Sequence, residues 1–209
     1  MIAMQPVLEI RTPDDFTRWP TGTPGPCGFL VLDGTLTPEE VGTAVWLLAD
    51  TNDVDPDEGE ERGPRPDDPL GAFLHGLLTL EHLFAPGGFR VTDSTTGAVF
   101  EPGCCNGLED WREWLDVLDG SVDTWFGHDP SAQATRVGSV ARLTPDPDAA
   151  DGPVIELPVD ELRRLLAGAE RDLRDFVRLA GGWAERQLPG HAAAVTAALT
   201  RALALEPAP

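Results

Sequence analysis

The chain has 209 residues, with 36 acidic side chains against 15 arginines and a formal charge of −21. A surface this negative repels phosphate backbones and anionic lipid, which excludes nucleic acid and membranes as partners and favours a basic protein. Its length and 41% hydrophobic content suit one α+β domain, residues 1–209, able to bury a core without disulfide or metal.

Lysine and tyrosine are absent while Ala, Gly and Pro abound. That bias is the mark of a high-GC genome, and solubility in an acidic proteome is the plain alternative reading of the charge. The start, MIAMQPVLEI, has no basic segment ahead of a long apolar run, and nothing approaches the ~20 apolar residues of a membrane span. Three cysteines without framework spacing fit a reducing compartment, so the expected location is cytoplasmic.

In chain order, residues 7–10 read as a short strand. Thr12-Pro13-Asp14-Asp15 opens a brief helix that stops at Pro20. Residues 29–32 form a buried strand. Thr37 and Glu40 compose a capping box for a helix to about Asp50 that buries Val41, Val45, Leu47 and Leu48. Residues 51–69 are too polar to repay their ordering and are expected as a mobile acidic loop. Asp53, Asp55 and Asp57 alternate as in a calcium loop, but the spacing beyond them fails. Asp68 caps a helix over 70–84, whose His75 and His82 lack the spacing of a metal pair.

Residues 89–92 and 98–100 read as a hairpin leading into Pro102-Gly103-Cys104-Cys105. Asn106 and Glu109 cap a helix from Gly107 with an apolar stripe of Leu108, Trp111, Trp114, Leu115 and Leu118. Glu109, Asp110, Arg112, Glu113 and Asp116 fall on its other side, and Gly120 stops it. A strand over 122–126 pairs with one over 135–143, and residues 154–157 add a last strand. Residues 158–206 form a helical hairpin, its first helix loosened at Gly181-Gly182 and ended by Pro189-Gly190, packed on the sheet or presented to a second copy of the chain. Sequential strand pairs predict a mainly antiparallel sheet of about 5–6 strands with helices packed on one side.

The richest chemistry lies at Cys104, Cys105, His128 and Asp129. A cysteine nucleophile needs a lowered pKa, which the helix start after Cys105 would supply, with His128 as base and Asp129 orienting it. The competing reading is a tight loop with small buried cysteines, followed by an Asp-Pro turn. No extended nucleophile motif and no phosphate-binding glycine loop accompanies them. Zinc on the same residues would need a geometry that adjacent cysteines seldom provide, so no metal and no cofactor is assigned.

The runs GCCNGLEDWREW, WFGHDPS and ELRRLLAGAERDLRDF resemble a group of acidic actinobacterial proteins over about half the chain, without carrying over any functional residue. The order of hairpin, helix, hairpin and terminal helix is similar to the SMI1/KNR4-like immunity and scaffold superfamily, which implies protein binding. The sequence therefore predicts a non-enzymatic, immunity- or antitoxin-like protein that neutralises or scaffolds a basic partner. Its binding residues would be Glu109, Asp110, Glu113 and Asp116, or carboxylates around Asp53 to Asp68, with Trp111 and Trp114 (and Trp125) as core residues or anchors. The alternative is a small thiol- or metal-dependent enzyme using Cys104 or Cys105 with His128.

Overall fold

The computed structural model describes residues 1–11, 15–22, 28–56, 62–120, 124–149 and 152–205. Its strands form two antiparallel sheets of four. The first contains β1 (Ile2–Glu9), β2 (Phe29–Val31), β3 (Gly87–Asp93) and β4 (Ala98–Phe100), in the order β2-β1-β3-β4. The second is a meander of β5 (Thr124–Trp125), β6 (Gln133–Val137), β7 (Val140–Thr144) and β8 (Ile155–Pro158). The helices are α1 (Pro38–Thr51), α2 (Pro69–Thr79), α3 (Glu113–Asp119), α4 (Val159–Gln187) and α5 (Ala192–Ala202).

The single sheet expected from the sequence is thus two. After Phe100 the chain runs on through Pro102 and Gly103 without turn or bend, and β4 is not continued into a ladder with β5. Two short links cross the gap instead: the Gly103 amide donates to Phe126 O at 2.8 Å, and Cys104 and His128 form an isolated antiparallel bridge. This seam between the sheets is closed from inside by aromatics. Trp114 and Phe126 stack at 4.4 Å between centroids, and Phe100 meets them edge-on at 5.6 and 5.7 Å.

β1 starts earlier than its apolar run suggests and carries Pro6 in its middle. Pro6 O accepts from Leu32 N, so its imide nitrogen faces the β2 side. There the β1–β2 ladder pairs residues 7–9 with 29–31, and Pro6 lies just beyond it, removing no ladder bond from β3.

α4 is the spine. Its 29 residues span about 43 Å and pack on β1 of one sheet, on β7 and β8 of the other, and on α1, α3 and α5. The buried stripe runs through Leu162, Leu166, Ala169, Leu173, Phe176, Ala180 and Trp183. The outer face pairs Asp160 with Arg163, Glu161 with Arg164, Glu170 with Arg174 and Asp175 with Arg178. The helix continues through Gly181 and Gly182, where loosening was expected, and α5 folds back on it to complete the helical hairpin. One contiguous hydrophobic core includes residues of both sheets and all five helices.

Local signals set several ends. The Thr37–Glu40 capping box forms in both directions, and Asp68 caps α2 through the Gly71 amide. α2 stops at Thr79 rather than near Phe84, because buried Asn52 claims both backbone groups of Phe84 at 2.9 Å. The segment ahead of Pro20 is not a helix among its described residues: Asp15 adopts φ +56°, and Phe16 turns onto Trp19 at 4.6 Å. Residues 12–14 of that expected helix lie outside the described residues.

The expected strand over 135–143 is a hairpin of β6 and β7 turning at Gly138-Ser139, with Gly138 at φ +64°. Within 51–69, Arg65 ties Asp53 and Asp55 together at 2.5 and 2.8 Å. Residues 57–61, including Asp57, lie outside the described residues.

Candidate functional site

The seam places the sequence candidates. Cys104 N donates to His128 O at 2.6 Å, and His128 N returns a bond to Cys104 O at 3.1 Å. The close approach needs glycine on both sides. A Cβ on Gly103 would stand 2.3 Å from Pro130 O, and one on Gly127 (φ +91°) would stand 2.6 Å from Cys104 O. Beyond the bridge, Cys105 and Asp129 both take left-handed conformations, at φ +65° and +54°. Successive side chains of an extended chain point to opposite faces; the turn at Cys105 instead leaves the two sulfurs 3.6 Å apart. Ligand atoms of Cys104, Cys105 and His128 all lie within 4.8 Å of one another, and the three side chains are exposed.

Two parts of the nucleophile reading change. The helix expected to start after Cys105 is a single 3-10 turn over Leu108–Asp110, followed by the seven-residue α3. Asn106 caps nothing; its side chain donates to Gly87 O at 2.6 Å. The start is broken because Glu109 accepts from Ala85 N and Arg112 donates to Ala204 O, committing both to tertiary partners. No helix N-terminus of two turns or more follows Cys105. Cys104 is instead pushed above the usual thiol range, first by its hydrogen bond with Cys105 and then by charge repulsion from it, with Glu9 adding to the effect. Asp129 Oδ2 stands 3.7 Å from His128 Nδ1, beyond hydrogen-bond length.

The expected binding residues divide. Trp111 and Trp114 are core residues rather than surface anchors: Trp111 donates to Leu203 O at 3.1 Å and Trp114 is 1% exposed. Glu109 is turned inward, its carboxylate held above the usual range mainly by burial. Asp110, Glu113 and Asp116 are exposed. Glu113 is also raised, first by desolvation and then by repulsion from Asp110 and Asp116. Leu115, assigned to the apolar stripe, is instead 42% exposed, and Trp125, expected as core residue or anchor, is 48% exposed. Trp125 sits on a two-residue strand, its ring 6.1 Å from that of His128.

An open groove of ≈ 1060 Å³ lies elsewhere, between α4 and α5, lined by Val177, Gly181, Gly182, Ala193 and Thr196 among others. Among the described residues, no helix is long and apolar enough to cross a membrane. No protein family, curated protein or solved structure matches the chain.

Proposed function

We propose that the protein is a non-enzymatic binder of a basic protein, of the immunity- or antitoxin-like kind, and that its docking face is the outer side of α3. The observation that carries this reading is the grouping of exposed Asp110, Glu113 and Asp116, where desolvation first and then repulsion from Asp110 and Asp116 raise the Glu113 carboxyl. Arginines or lysines of a partner would relieve that repulsion, and the −21 charge of the chain would steer their approach. Exposed Leu115 supplies apolar contact on the same helix.

A thiol- or metal-dependent enzyme is the second reading, favoured by the meeting of Cys104, Cys105 and His128. Against a nucleophile stands the raised Cys104 thiol.

The test compares the wild-type chain with an Asp110→Asn/Glu113→Gln/Asp116→Asn variant as affinity baits, eluted with salt. A basic protein that leaves the wild type between low and moderate salt should bind the variant roughly tenfold more weakly, at about 0.5 kcal/mol per exposed charge pair. Equal retention on both baits would overturn the reading.

A further inference from the structure

We propose that Cys104, Cys105 and His128 form a three-ligand site for a thiophilic d10 metal ion of the Zn²⁺ class, with the fourth position open to solvent. The site is separate from the acidic face of α3 and stands without it.

The donor set selects the ion. Two thiolates and an imidazole suit Zn²⁺ and its softer relatives, whereas Ca²⁺ and Mg²⁺ take oxygen ligands. The spacing is close to what coordination requires. With Zn–S near 2.3 Å and Zn–N near 2.0 Å, tetrahedral edges are about 3.8 Å between sulfurs and about 3.5 Å from sulfur to nitrogen. The sulfurs already stand 3.6 Å apart, and all three donors fall within 4.8 Å. Closing the remaining gap falls to three exposed side chains.

The backbone beneath them is laced together. The reciprocal Cys104–His128 bonds hold the two loops in register, and Gly103 N to Phe126 O secures the next step. Left-handed Cys105 keeps its sulfur beside that of Cys104, an arrangement an extended Cys-Cys pair would not offer. Such a conformation is uncommon for a residue with a side chain, and here it assembles the donor pair. Charge balances on binding. Each thiol loses its proton to solvent as a metal–sulfur bond forms, neutral imidazole donates its lone pair, and the two thiolate charges offset those of the ion.

The experiment titrates the reduced, full-length chain with Cd²⁺, followed by its ultraviolet thiolate-to-metal charge-transfer band, and then displaces Cd²⁺ with Zn²⁺. One ion should bind per chain, releasing about two protons. Cys104→Ser, Cys105→Ser and His128→Ala should each weaken binding by more than the ~10–100-fold that loss of an outer-shell group causes. All three positions are exposed, and circular dichroism checks that the variants keep the fold. Cys27→Ser should bind as the wild type does. Uptake without the charge-transfer band would place the ion on carboxylates of this acidic chain and overturn the proposal. So would unchanged affinity in the Cys104→Ser/Cys105→Ser double variant, or a band that needs Cys27 and not His128.

Discussion

Glu109 lies on the side of its segment that helical spacing assigns to solvent, yet its carboxylate accepts from the buried Ala85 amide at 2.9 Å. Burial raises its pKa. A carboxyl whose folded pKa exceeds its unfolded value carries a charging penalty above the folded pKa, and the penalty disappears below the unfolded one. In the window upward from ~4.3, the ordinary glutamate value, stability therefore falls as pH rises. Glu109→Gln keeps an acceptor and removes the charge, so urea unfolding at several pH values should show a flatter profile through that window. Glu109→Ala strands the Ala85 amide and should lose about 1–3 kcal/mol; a loss equal to that of Gln would contradict this account. Residue roles were legible where periodicity spoke: Trp111 and Trp114 follow the apolar stripe into the core. Trp125 was not, because a two-residue strand gives alternation nothing to act on.

Elements were readable where their signals are local. The Thr37–Glu40 box, the Asp68 cap, the β3–β4 hairpin and the α4 stripe each lie within a few turns of chain. The Gly138-Ser139 turn was equally present in the sequence, since a two-residue loop led by glycine is a strong hairpin signal. The alternating run across it reads as one longer strand, which concealed the turn. The thiol loop was legible as chemistry and not as geometry, for nothing local reports that Cys104 faces His128. Its one sequence trace is a glycine beside each partner. Gly127→Ala would put a Cβ 2.6 Å from the carbonyls of Cys104 and Gly103, while Gly97, also at positive φ (+76°), has open space around it. Chemical denaturation should find Gly97→Ala losing about 1–2 kcal/mol for the left-handed backbone alone. Gly127→Ala should lose distinctly more, and equal losses would mean that the two loops do not press together.

At the scale of the whole molecule, the division into two sheets depends on pairings that no window of sequence contains. β1 pairs with β3 across both α1 and α2, and α4 then lies against β1 and against β7 and β8. The α+β class follows from the element types, but where one ladder ends and another begins goes with the isolated Cys104–His128 bridge and the packing of Phe100, Trp114 and Phe126. Both proposed surfaces depend on that seam. It leads directly into α3 with its acidic face, and it brings the two cysteines to His128. Native-state amide hydrogen exchange, resolved residue by residue by NMR, tests it most directly. The amides of Gly103, Cys104, Phe126 and His128 donate across or beside the seam and should exchange far more slowly than those of Cys105 and Asp129. Exchange of Cys104 and His128 at the rate of open loops would contradict the seam, and with it the placement of the metal site.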